Sequence, residues 1–307
     1  VEDMPVSYQY LISALASQGA PPEAIAEVQR QKADALRRMT SDAATIERAN
    51  IEDAMQLAVY AGDFARAESL LPAFEPKGSA ASSEAANTLS AEVRMSLALE
   101  TGDEAKAARI AVAFHKRLPA WQQDASYARG LIVAWLRRAG KLDPAEAAQR
   151  QEAAVREALA DVIRSNRPRG EIWVDAYAEP AATRADAEEA LAALPRFEPL
   201  PPNYTNDNSN WHAPAAIGKV KFLVGRVDEA VPLLRKGLAA CAGFNAFAYL
   251  GYHMLLGEAL EAAKDRAGAC DAYAVVAKRW GNAKPRSVTL ERAKSRMRAL
   301  GCKPAGR

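Results

Sequence analysis

The sequence predicts an all-α protein, a right-handed α-solenoid of helix hairpins, and three observations carry that prediction. A short Gly-to-Ala pattern recurs with a period near 40 residues, the signature of stacked supersecondary units. Alanine, the strongest helix former and small enough to let helices approach closely, is frequent from end to end. Apolar positions follow helical spacing, and no segment alternates convincingly enough to read as a strand.

The repeated pattern reads Ala61-Gly62-Asp63-Phe64-Ala65-Arg66-Ala67, then Thr101-Gly102-Asp103-Glu104-Ala105-Lys106-Ala107, then Ala139-Gly140-Lys141-Leu142-Asp143-Pro144-Ala145. It returns as Val224-Gly225-Arg226-Val227-Asp228-Glu229-Ala230 and as Ala263-Lys264-Asp265-Arg266-Ala267-Gly268-Ala269, where Lys264 replaces the glycine. Each copy reads as a hairpin turn. A glycine ends one helix in the left-handed conformation, and Asp63, Asp103, Asp143 or Asp265 caps the next. An early alanine then packs against the helix before. Pro144 fits the first turn of its helix, where a missing N–H costs nothing.

With Gly, Pro and Asp as punctuation, helices are expected near 7–18, 22–39, 43–61, 64–74, 83–101, 103–117, 122–139 and 144–164. Further helices are expected near 170–178, 183–194, 212–224, 227–241, 244–263, 266–280 and 287–300. One stretch interrupts the pattern. Pro195, Pro199, Pro201, Pro202 and the Asn-rich run from Asn203 to Trp211 predict a loop over 195–214. It divides an N-terminal array, 1–194, from C-terminal repeats and a capping helix, 215–307.

The glycine, the aliphatic or aromatic residue two later and the alanine three beyond that resemble the middle of the tetratricopeptide repeat. Gly102, Ala107, Phe114 and Pro119 stand at its consensus spacing, and Leu256, Gly257, Leu260, Ala269 and Tyr273 match in the last unit. The units exceed the family's usual length and often lack its first-helix Trp and Tyr. The final third, through Gly268-Ala269-Cys270-Asp271-Ala272-Tyr273, Arg279 to Thr289 and Ala299-Leu300-Gly301-Cys302, resembles the repeat region appended to some large bacterial serine/threonine kinases. No kinase motif accompanies it. The resemblance implies a sensing or docking part, or a stand-alone relative of it.

The chain has 307 residues, half of them hydrophobic, and its 40 basic and 38 acidic residues are interspersed for a net charge of +2. That balance speaks against a nucleic-acid partner, which calls for concentrated positive charge. No apolar run reaches the roughly 20 residues of a membrane-crossing helix. The chain begins at Val1, which suggests a piece of something longer.

Catalytic chemistry finds little support. His115, His212 and His253 lie far apart, and neither HExxH nor CxxC occurs. Asp207 with His212 is a weak ion-binding pair in a polar loop, and Glu188-Glu189 point different ways on a helix. No cofactor, metal or catalytic residue is expected. Trp135, Phe114, Phe222 and Tyr273 have core spacing. Lys278 to Arg286 reads as cations at a helix end followed by a proline stop. Cys270 begins one helix and Cys302 follows the last, so antiparallel packing would bring their sulfurs together. A disulfide there implies an oxidising, periplasmic or otherwise extracytoplasmic compartment. Two buried reduced thiols are the alternative, and Cys241 is left over in either case.

The expected function is non-catalytic: a concave groove, lined by the first helix of each hairpin, presented to a protein or peptide partner. The residues assigned to it by phase are Asn50, Met55, Glu92, Arg94, Tyr127, Trp211, Lys219, Lys221, Tyr249 and His253. Tyr204 and His212 join them from the polar loop. The alternative is an extracytoplasmic carrier or sensor that encloses an apolar small molecule. An enzyme built around the 195–214 loop is the third class, and it would need a convergent acid/base or metal pair.

Overall fold

The computed structural model describes residues 5–74, 84–117, 127–165, 169–197, 212–239 and 246–303. Within them the regular structure is helical. The elements are α1 (Pro5–Gln18), α2 (Pro22–Met39), α3 (Ala43–Ala61), α4 (Phe64–Phe74), α5 (Glu84–Glu100), α6 (Glu104–Arg117), α7 (Tyr127–Arg138) and α8 (Pro144–Ser165). They continue with α9 (Arg169–Trp173), α10 (Arg184–Ala193), α11 (His212–Leu223), α12 (Val227–Ala239), α13 (Ala246–Ala262), α14 (Arg266–Trp280) and α15 (Val288–Leu300).

One expected helix, 170–178, departs from regular form. After α9 the chain winds into a π turn, Val174–Ala178, closed by the Glu179 N–H donating to Val174 O at 2.8 Å. The wider turn rotates the following residues relative to an α-helix. The expected loop from 195 begins as a tight turn, Leu194–Arg196, that sets Phe197 fully inside the core. Residues 198–211 lie outside the described residues.

The turn chemistry is uniform. Gly62, Gly102, Gly140 and Gly225 have φ of 74°, 80°, 65° and 87°. Lys264 takes the same left-handed conformation at φ 63°. Asp63, Asp103, Asp143 and Asp265 each accept a hydrogen bond from a backbone N–H in the first turn that follows, at 2.8–3.1 Å. Gly257 works differently: a Cβ there would stand 2.3 Å from the buried Tyr273 ring, so its absence lets α13 and α14 approach.

Successive helices pack as hairpins: α1 on α2, α3 on α4, α5 on α6, α11 on α12, α13 on α14. Ala91, Met95, Ala98, Ala107, Ala111, Phe114, Ile132 and Leu136 form a satellite core among α5, α6 and α7. The main core runs from Ala16 to Ala293. The sequence break at 195–214 is thus not a break in the core.

The chain also closes on itself. Trp280, fully buried at the end of α14, donates its indole N–H to Val59 O at 2.8 Å and meets Phe64 edge to face at 5.2 Å. Lys284 N donates to Gly62 O at 2.9 Å, and Ala65 N donates to Lys284 O at 3.1 Å. The Glu100 carboxylate receives Thr289 N at 2.9 Å, Thr289 Oγ1 at 2.8 Å and the Ser287 hydroxyl, so it caps α15 from the far side of the sequence. The stretch 278–286 is the expected helix end, with Lys278 and Arg279 in the last turn of α14, and it also docks α14 and α15 onto α1, α3 and α4. These partners are more than two hundred residues away for Trp280, beyond the reach of local patterning.

Cys270 and Cys302 are joined by a disulfide, Cα–Cα 5.6 Å, across 32 residues. Closing a loop of that length stabilises by roughly 3–4 kcal/mol in the chain-entropy model. A thermal melt in reducing buffer is therefore expected to fall by on the order of 10 °C. An unchanged melting point with both thiols shown to be free would reject that contribution.

Candidate functional site

The structure scatters some of the residues assigned to the groove and gathers others. Asn50 is exposed on α3, apart from the rest. Met55 is a correction: it is fully buried in the main core and has no surface to offer a partner. Its helix carries apolar residues on more than one face, so phase alone misplaced it. Lys221 pairs with Glu229 across the α11–α12 hairpin at 2.9 Å, so its charge is answered within its own repeat. Tyr204 and Trp211 lie outside the described residues. Tyr127 opens α7 and His212 opens α11, and the side chains of both lie outside what is described.

Glu92 of α5, Lys219 of α11 and Tyr252 of α13 meet at a residue absent from the sequence-based assignment, Glu179, which the π turn delivers, whereas Tyr249 and His253 belong to a separate group. Glu179 Oε1 accepts from the Tyr252 hydroxyl at 2.7 Å. Lys219 Nζ donates to Glu179 O at 2.7 Å, lies 3.7 Å from Glu179 Oε2 and sits 5.7 Å from the Tyr252 ring centroid. Burial pulls the Lys219 ammonium below its ordinary pKa, with Glu179 opposing. Glu92 is 8% exposed, and burial, reinforced by the nearby Glu179 charge, raises its pKa to about 7. Arg94 follows on α5 with its Nε buried.

One helical turn from that centre lies a second group. His253 meets Tyr249 edge to face, with ring centroids 4.7 Å apart, and Tyr249 meets Tyr60 at 6.3 Å. The Tyr249 phenol shares a hydrogen bond with the Ser17 hydroxyl of α1. The Arg279 guanidinium of α14 donates to Ser17 O. Both ring nitrogens of His253 are buried without a hydrogen-bond partner. Burial, with Arg279 adding to it, lowers His253 to about 4, so the imidazole is neutral at pH 7.

Glu179, Tyr252, Ser17 and Arg279 were beyond sequence reasoning because each acts through a partner at least 40 residues away. The only local hint was the chemistry of Tyr249-Leu250-Gly251-Tyr252-His253, which places polar tips on an otherwise apolar helix.

The arrangement offers an ammonium, a carboxyl that titrates near neutrality, phenols and an imidazole with two unpartnered nitrogens. Among the described residues no group of three or more His, Cys, Asp or Glu is placed to hold a metal ion. None of their helices is long and apolar enough to cross a membrane. Comparison with family models, with curated proteins and with solved structures finds no match to this chain.

Proposed function

We propose that this chain is a non-catalytic binding protein, a right-handed solenoid of tetratricopeptide-like hairpins whose first-helix face takes a segment of a protein or peptide partner. The observation that supports this reading is the convergence of Glu92, Lys219 and Tyr252, from three first helices, on Glu179, with the unpartnered His253 ring carried by the same α13 helix as Tyr252. Buried polar groups are ordinarily satisfied, so an imidazole left without partners favours a ligand that completes it. Glu92 and Tyr249 are less than 10% exposed, which fits an extended segment entering side chain first and not the flat face of a folded domain. By resemblance this would be the sensing or docking part of a bacterial signalling protein. The disulfide fits an extracytoplasmic setting.

A second reading, a carrier or sensor for a small molecule enclosed between helices, draws on the depth of the same lining. Selection from a displayed random-peptide library on the immobilised full chain separates the two. Enrichment of a peptide family whose binding weakens at least tenfold in Arg94→Ala or His253→Gln is expected. A library that yields nothing, beside a discrete ligand mass released from the purified chain, would favour the enclosed molecule and sink the peptide reading.

A further inference from the structure

Four of the five equivalent hairpin turns place a glycine in the left-handed conformation, and the fifth places Lys264 there at φ 63°. A side chain in that conformation crowds its own backbone, and glycine does not. The lysine therefore stands at this turn against a local penalty, which is a pointer to function.

Its surroundings carry the same charge. α13 ends, α14 begins and α15 ends at one end of these packed helices, and the Cys270–Cys302 disulfide ties the last two together. Arg266 opens α14 and donates to Gly301 O at 3.1 Å, between Arg298 and Lys303 in the chain. Arg235 reaches from α12 to Asp265 at 3.2 Å, and Arg296 donates its Nε–H to Glu261 at 2.9 Å. All six cations are exposed. Asp265 and Glu261 answer two of them. Lys264, Arg266, Arg298 and Lys303 have no carboxylate partner among the described residues.

The sequence carries the same bias. From Lys264 to Lys303 it holds eleven basic and three acidic residues, whereas the rest of the chain holds twenty-nine and thirty-five. An exposed helix face needs polarity for solubility, but not a single sign of charge. A one-sign field on a chain of net charge +2 calls for an anionic partner.

We infer that this end of the molecule rests on an anionic lipid surface, with Arg235, Lys264, Arg266, Arg296, Arg298 and Lys303 set against the headgroups. Two observations select lipid over a protein or a nucleic acid. The exposed large hydrophobic residues among those described are Leu11, Met39 and Val288, and none lies at this end of α13, α14 and α15. A protein interface anchors on desolvated aromatic and aliphatic side chains. Attraction to a charged headgroup layer is delocalised and needs no such anchor. The disulfide inside the patch fits an oxidising compartment, which is not where nucleic acid is met. The assignment does not depend on the reading of the first-helix face.

The test sediments the oxidised full chain with vesicles of phosphatidylglycerol and phosphatidylcholine in equal parts, and with vesicles of phosphatidylcholine alone. A third arm offers immobilised polyglutamate. Binding to the mixed vesicles, absent from the neutral ones and falling as salt is raised, is expected. Each Lys or Arg near such a surface strengthens binding about fivefold, so Arg298→Gln combined with Lys303→Gln should weaken it about twenty-five-fold. Lys264→Gly should weaken it about fivefold and melt no lower than the parent, because glycine is what the other four turns hold. Lys264→Arg should bind as the parent does.

Equal binding to both kinds of vesicle, or binding to neither, would overturn the assignment. So would undiminished binding by the double variant or by Lys264→Gly. Capture by polyglutamate without vesicle binding would overturn it too, and would pass the patch to an acidic protein partner.

Discussion

Trp280→Ala is expected to destabilise the chain by about 4 kcal/mol, the range for emptying a fully buried large aromatic site. The indole fills the junction of α14 with α3 and α4, packs on Phe64 and Phe247 at 5.2 and 6.1 Å, and donates to Val59 O. Gly62 N also donates to Val59 O, so the lost hydrogen bond does not orphan that carbonyl and the cavity dominates the cost. Trp280→Phe keeps part of the volume and should cost roughly half as much. Urea unfolding followed by far-ultraviolet dichroism reads both. A loss below about 1 kcal/mol for the alanine variant would mean that the docking of α14 contributes little to the fold.

Glu92→Gln should have an effect of similar size that depends on pH. The Glu92 carboxyl titrates near 4.5 when exposed and at about 7 in the folded chain. The folded form therefore holds a proton that the unfolded chain has released. The associated stability is complete below pH 4.5 and is lost as pH rises through 7. The span corresponds to roughly 3 kcal/mol. Glutamine mimics the protonated carboxyl at every pH, so variant and parent should match near pH 4. The variant should then be the more stable by up to about 3 kcal/mol at pH 8. Other buried carboxyls, such as Asp53 in its 2.7 Å pair with Lys32, are common to both chains and cancel in the difference. Equal stabilities at pH 8 would reject the raised pKa.

The helices were legible because their ends are written in local chemistry. Gly62 followed by Asp63, or Gly102 by Asp103, specifies a left-handed stop and a capped start within two residues, and the structure turns there. Where one residue was exceptional, at Lys264, the aspartate that follows still marked the turn. The core was legible only in part. Tyr273 and Phe114 declared themselves by spacing, whereas Met55 sits on a helix apolar on several faces, where phase does not decide burial. The site was legible as residue types on first helices but not as an arrangement. Glu179 reaches it through a π turn, a deviation without a local sequence code, and Arg279 resembled an ordinary cation at a helix end. Its partner, Ser17, stands 262 residues earlier.

Repeat arrays in which each unit touches only its neighbours unfold from their ends inward and tolerate truncation. The bonds that tie Val59, Gly62 and Glu100 to residues 280–289 change that expectation. With α14 and α15 pinned to α3, α4 and α5, these late and early helices are expected to unfold together, and loss of either set strands the other. Synthesis on the ribosome meets the same constraint in time. The apolar surface around Phe64 waits for Trp280 to emerge, and Val59 precedes Trp280 by 221 residues. At typical elongation rates that is a delay of roughly 10–40 s. During that interval the N-terminal hairpins are a ready substrate for chaperones, and a stop codon anywhere before Trp280 leaves that surface permanently uncovered.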